Sequence, residues 1–178
     1  MQSKKCERLI DVGRRQFLKG GAVAAAGAAA AVVPAAREAQ AAPSLARVTY
    51  PSTKLANLKD LKTDEPVEIA YPDQDSPGVL IKLGRAVTGG VGPDGDVVAF
   101  STLCPHKGFP LHYVADDKSL NCPGHYSRFD CEKGGQQIWG QATQNLPQFH
   151  LQVDDKGDIY AVAVDELIYG RLSNVLKA

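Results

Sequence analysis

The chain has 178 residues, 44% of them apolar, which suits one folded domain with an appendage and is too apolar for wholesale disorder. Its formal charge of +0 averages two unlike parts: residues 1–41 hold seven Lys/Arg against three Asp/Glu, and the remainder holds thirteen against seventeen. With no basic excess beyond the first segment, the composition excludes a nucleic-acid-binding surface.

Residues 1–41 read as an export signal, with a basic start, an apolar stretch from Gly20 to Val33 and a small-residue end at Ala39-Gln40-Ala41. Within it, Gly13-Arg14-Arg15-Gln16-Phe17-Leu18-Lys19 resembles a twin-arginine signal, although Gly13 stands where Ser or Thr is usual. That pathway moves folded proteins, so it implies a periplasmic protein whose cofactor is inserted before export. An uncleaved membrane anchor is the alternative. Fourteen residues, mostly Ala and Gly, fall short of the ~20 apolar residues that a bilayer core requires. Cleavage near Ala41, no membrane anchor and a mature domain over 42–178 are therefore expected.

The mature part begins with a polar stretch carrying Leu55, Leu58 and Leu61, and then gives short strand-like runs. Val67 to Tyr71, Val79 to Leu83, Val97 to Phe100, Phe149 to Val153 and Ile159 to Val164 are short and partly alternating, which predicts antiparallel sheet. Turns are expected at Gly89-Gly90-Val91-Gly92-Pro93-Asp94-Gly95 and at Asp154-Asp155-Lys156-Gly157-Asp158. No long amphipathic helix is evident. The fold class is all-β.

Between these strands, from about 103 to 147, lies a stretch dense in Cys, His, Gly and Pro. Loops of that composition bury little apolar surface and are expected to form a small subdomain held by metal. Cys6 leaves with the signal, so the mature part keeps Cys104, Cys122 and Cys131. An odd number cannot close a disulfide framework, which favours metal ligation. Cys104-Pro105-His106 is followed, after fifteen intervening residues, by Cys122-Pro123-Gly124-His125, one Cys/His clip on each of two loops. Zinc accepts two thiolates and two imidazoles, so a zinc-stabilised interaction module is the bland alternative. Cys131 has no matching partner and is read as a free, buried thiol. His112 and His150 are read as solvated or surface residues, and Trp139 is expected to pack beneath the cluster loops.

The spacing Cys-x-His with Cys-x-x-His resembles the Rieske family, in which the cysteines bind one iron of a [2Fe–2S] cluster and the histidines the other. The resemblance implies one such cluster on Cys104, His106, Cys122 and His125, within a Rieske-type β-sandwich or barrel that carries an inserted cluster-binding subdomain. Rieske loops often hold a further cysteine each, joined as a disulfide. Phe109 and Gly124 occupy those positions here, so the disulfide is expected to be absent. Ser127 stands where high-potential members place a serine that bonds a bridging sulfide, and Phe129 stands where they place a tyrosine that bonds a ligand cysteine. A donor missing at Phe129 implies a potential below the top of the range of roughly −150 to +300 mV.

Gly140-Gln141-Ala142-Thr143-Gln144-Asn145-Leu146-Pro147 resembles the proline-containing third loop of Rieske proteins. Together with Tyr50-Pro51-Ser52-Thr53, Glu65-Pro66-Val67, Tyr71-Pro72-Asp73, Gly89 to Pro93 and Leu167-Ile168-Tyr169-Gly170-Arg171, it makes the mature chain similar to the small subunit of arsenite oxidase. That resemblance implies a large molybdopterin and iron–sulfur subunit as donor and a periplasmic cytochrome c or copper protein as acceptor. In such a complex this chain is the non-catalytic electron-transfer subunit. The other readings are a Rieske subunit of a quinol-oxidising cytochrome bc complex, which would want an anchor, the disulfide and the tyrosine, and a soluble Rieske ferredoxin serving an oxygenase, which would need no signal.

Overall fold

The computed structural model describes residues 49–175. The export signal expected over residues 1–41, its apolar stretch and its cleavage point lie outside the described residues, as does Cys6. No helix among the described residues is long and apolar enough to cross a membrane.

Among the described residues, ten strands form two antiparallel sheets: β1 Thr53–Asn57, β2 Val67–Ala70, β3 Pro77–Lys82, β4 Val97–Ser101, β5 His112–Val114, β6 Ser119–Asn121, β7 Arg128–Asp130, β8 Gln136–Trp139, β9 Gln148–Val153 and β10 Asp158–Val164. The five runs predicted from periodicity are β2, β3, β4, β9 and β10. Leu55 belongs to β1, and Leu58 begins a short 3-10 turn at Leu58–Asp60, capped by the Asn57 side chain, which accepts from the Lys59 N–H at 3.2 Å.

The larger sheet has the order β1-β10-β9-β4-β3-β2, and the smaller has the order β5-β6-β7-β8. The smaller sheet is a meander whose strands are consecutive in the chain, and it is inserted between β4 and β9, which themselves pair. Insertion between two paired neighbours leaves both its ends attached to the large sheet.

Burial explains why β3 and β4 read as continuous apolar runs while β9 and β10 alternate. In β4 all five residues are buried. Val98 and Phe100 join one core with Val79, Ile81 and Leu83, whereas Val97 and Ala99 join a second with Leu80, Phe149 and Ile159. Successive side chains of a strand point to opposite faces, so a strand covered on both sides is apolar on both, and in β4 the buried Ser101 at its end is the polar exception. β3 and β4 thus form the wall between the second of these, the base core, and the first, which also contains Cys104, Cys122, Leu120, Phe129 and Cys131. The loops that carry Cys104 and Cys122 sit on the side of the first core.

Polar ties fasten the small sheet to the large one. Asp64, in the left-handed region at φ 64°, accepts from the Tyr113 hydroxyl at 2.8 Å and from Lys118 Nζ. On another flank Arg85 forks onto Glu132, and the Thr88 N–H donates to the Glu132 carbonyl at 3.2 Å.

Candidate metal centre

The two Cys/His clips are built alike. The first loop leaves β4 and the second joins β6 to β7. In the first, the Cys104 carbonyl accepts from the Gly108 N–H at 2.8 Å and the Cys104 N–H donates to the Phe109 carbonyl at 2.9 Å. In the second, the Cys122 carbonyl accepts from Tyr126 at 3.1 Å and the Cys122 N–H donates to Ser127 at 2.8 Å. Both loops therefore close four and five residues beyond their cysteine, and both reverse through a left-handed residue at the fourth place, Gly108 at φ 69° and Tyr126 at φ 62°. A glycine takes that conformation freely, whereas a tyrosine adopts it at a cost of about 1 kcal/mol or more. Tyr126 does so while 72% exposed, so its own burial does not offset that cost.

This matched folding brings the four candidate ligands together in two pairs. Cys104 and Cys122 are both free thiols, both buried, and belong to one core cluster. His106 and His125 lie outward of them, the first half-buried and the second exposed, with ring centroids 4.7 Å apart and planes at 73°. Burial pushes the Cys104 thiol up; the His106 and Lys107 backbone N–H groups aimed at its sulfur draw it back, and the neighbouring Cys122 thiol pushes it up again. Two thiols side by side in an apolar pocket with amides aimed at one of them form a place for thiolates that a cation must balance.

The residues fit a dinuclear cluster. His106 Nδ1 is a buried nitrogen with no hydrogen-bond partner among the described residues, as a ligating lone pair requires. A mononuclear zinc site needs four donors around one point, whereas a dinuclear cluster takes the cysteines on one iron and the histidines on the other.

Ser127 is fully buried, and its Oγ accepts from the Gln141 N–H at 3.1 Å and the Ala142 N–H at 3.0 Å. With both lone pairs engaged, the hydroxyl hydrogen is left to donate. The third loop, Gly140 to Pro147, is thereby tied to the second. Gly140 comes so close that a β-carbon there would stand 2.4 Å from Ser127 Cα. Phe129 is fully buried in the core that holds both cysteines, and it offers no hydrogen-bond donor.

Phe109 and Gly124 meet across the two loops. A β-carbon on Gly124 would stand 2.9 Å from Cγ and from Cδ2 of the Phe109 ring, which also meets the His125 ring edge-on with centroids 5.8 Å apart. An aromatic ring seated on a glycine joins the loops at this point.

The remaining expectations divide. Cys131 is fully buried, while His112 and His150 are exposed. Trp139 corrects the expectation that it packs beneath the loops: it is 67% exposed at the end of β8, an edge strand of the small sheet. The space beneath the loops is filled by Leu120, Phe129 and Leu146 instead. Sequence reasoning missed the role of Gln141 and Ala142, whose backbone amides carried no side-chain signal, and the left-handed turn at Tyr126, which comparison with Gly108 at the matching place of the first loop would have revealed.

Comparison with known proteins gives the family. The family model described as the Rieske [2Fe-2S] domain matches residues 52–150, and a twin-arginine translocation signal sequence matches residues 11–35. The chain is 44% identical over 166 residues to iodate reductase subunit IdrB of Denitromonas iodatirespirans, covering 92% of this chain and 86% of that one. It is 38% identical over 162 residues to the subunit of the same name from a Pseudomonas species, covering 89% and 82%. Among solved structures, the soluble domain of Rieske protein II from Sulfolobus acidocaldarius superposes with a TM-score of 0.58 at 28% identity, covering 65% of this chain and 78% of that one.

Proposed function

From the premise that this chain belongs to the Rieske [2Fe–2S] family, carries one such cluster and is exported to the periplasm by a twin-arginine signal, we propose that it is the electron-transfer subunit of a periplasmic molybdenum-containing oxidoreductase. The observation that carries the reading is the pairing of two buried cysteines with two outward histidines, one of them exposed. When bound, the cluster supplies one-electron transfer. Cys104 and Cys122 would hold it as thiolates from the buried side, and His106 and His125 would hold it from the side that reaches solvent. The histidine edges are then where a redox partner comes within reach. Phe109 covers part of His125 and limits water there, and Ser127 keeps the third loop closed over the site. No group in this arrangement is set up for bond chemistry on a substrate.

For the complex, the reading is arsenite oxidase, supported by the stretches that run from Tyr50-Pro51-Ser52-Thr53 to Leu167-Ile168-Tyr169-Gly170-Arg171. The large partner would carry molybdopterin and an iron–sulfur cluster, and the acceptor would be a cytochrome c or a copper protein of azurin type. The extended identity to two iodate reductase subunits favours a second reading, in which this chain feeds electrons toward an oxidised oxyanion. Purifying the complex from the periplasm separates the two by the direction of the redox change. Reduction of the oxidised Rieske centre on adding arsenite supports the first reading. Oxidation of the pre-reduced centre by iodate, with arsenite inert, overturns it in favour of the second. Co-purification with a cytochrome b in place of a molybdenum subunit overturns both.

A further inference from the structure

After β10 the chain leaves the large sheet and crosses to the first ligand loop. This crossing segment is fastened on both sides of Tyr169. On one side Ile168 is buried in the base core, and its N–H donates to Asn174 Oδ1 at 2.9 Å. Asn174 is itself buried and donates to the Glu166 carbonyl at 2.8 Å and to the Tyr50 hydroxyl at 3.1 Å. On the other side the Arg171 guanidinium forks onto the two carboxylate oxygens of Asp73 at 2.7 and 2.6 Å.

Held between these anchors, the Tyr169 ring lies against the α-carbon of Gly108. A β-carbon there would stand 2.5 Å from Cε1 and 2.6 Å from Cδ1 of the ring. Gly108 also needs its φ of 69°, so that its N–H can close the loop onto the Cys104 carbonyl. Only glycine meets both demands. Tyr169 stays 40% exposed, and among the described residues its hydroxyl has no partner. The contact is therefore made by the ring and not by the hydroxyl. The next loop residue, Phe109, reaches to Gly124, so the first loop is braced by one aromatic-on-glycine contact from the crossing segment and makes another to the second loop.

We propose that Tyr169 is a positioning residue for the cluster: its ring braces the first loop, whose turn closes from the Gly108 N–H onto the Cys104 carbonyl, and so keeps the backbone amides of that turn beside Cys104, raising the reduction potential. The inference rests on the reading of Cys104 and His106 as ligands. Hydrogen bonds to a ligand sulfur favour the more negative, reduced cluster, so a loop that rocks away from Cys104 weakens them and lowers the potential.

The test uses the full chain, exported and recovered with its cluster, with potential read by an EPR-monitored titration and stability by the rate of iron loss to a chelator. Tyr169→Phe is expected to match the parent in both. Tyr169→Ala is expected to shift the potential downward and to lose iron several-fold faster. Arg171→Gln, which loosens the segment without touching the loop, is expected to shift both in the same direction by less. A Tyr169→Ala protein with the parent potential and iron-loss rate overturns the proposal. If that variant does not fold, an unshifted Arg171→Gln overturns it. A parent protein with no [2Fe–2S] signal overturns this inference and the ligand reading together, whereas a normal parent signal with unshifted variants overturns this inference alone.

Discussion

The ring of Phe109 rests on the α-carbon of Gly124, with Cγ and Cδ2 2.9 Å from where a β-carbon would be. Two loops that approach each other from different parts of the chain are thus joined by dispersion and excluded volume at Phe109 and Gly124, the positions where the resemblance to Rieske loops often places a disulfide. Such a contact holds its geometry less firmly than a disulfide.

Truncation at Phe109 tests that tie. The ring is 43% exposed, so Phe109→Ala should cost about 1–2 kcal/mol of folding stability, a part of the value for a fully buried side chain. Gly124→Ala should displace the ring and produce a comparable loss. Both variants are expected to release iron to a chelator faster than the parent, with little change in circular dichroism of the sheets. An unchanged release rate would show that the contact does not hold the loops.

Ser127→Ala removes the oxygen that accepts from Gln141 and Ala142, leaving one N–H buried and one part-buried without a partner. A loss of about 1–3 kcal/mol in thermal or urea unfolding is expected. If the free hydroxyl hydrogen faces the cluster, the potential falls as well. Potentiometric titration reads that second effect separately, and a potential equal to the parent's would place the hydroxyl away from it.

Phe129→Tyr should raise the potential, because it introduces a hydroxyl donor into the core that holds both Cys104 and Cys122, the proposed ligands. The position is fully buried, so a hydroxyl that finds no sulfur would be left unsatisfied and would lower stability instead. Measuring the melting temperature beside the potential distinguishes these outcomes.

Cys131 sets an alkaline limit. Burial pushes its thiol up to about 12, with the Asp130 and Glu132 carboxylates adding to the rise. The folded state therefore holds this proton more tightly than the unfolded chain. Its contribution is fully present below the ordinary thiol value of about 8.5–9 and is lost as pH rises toward 12. Cys131→Ala should flatten stability over that window while leaving the EPR spectrum of the reduced protein unchanged. A lost spectrum would make Cys131 a ligand.

Asp64 sets an acid limit. Its bonds to Lys118 and then to Tyr113 hold its carboxyl below the usual value. The stability this confers is present above about pH 4 and is lost as pH falls through the depressed folded value. The pair is partly open to solvent, so the effect is on the order of 1 kcal/mol or less. Acid unfolding of Asp64→Asn should show a weaker pH dependence below pH 4 than the parent, and an identical profile would remove Asp64 as the cause.

The sequence alone determined the features written in near neighbours. A cysteine and a histidine two or three residues apart can sit on one tight loop whatever surrounds them, so the two matched clips were legible from spacing. The strand runs were legible too, because side chains alternate across a sheet and apolar positions follow that period. Their partners were not. Every residue of β4 is buried, and only the tertiary structure decides that its two faces serve two different cores. Trp139 could have filled a core by composition, yet it lies on an edge strand facing solvent. Phe109 on Gly124, Tyr169 on Gly108, and Asp64 with Tyr113 and Lys118 each join residues distant in the chain. Such contacts leave no local pattern, because a glycine that admits an aromatic ring looks like any other glycine until the fold brings the ring to it.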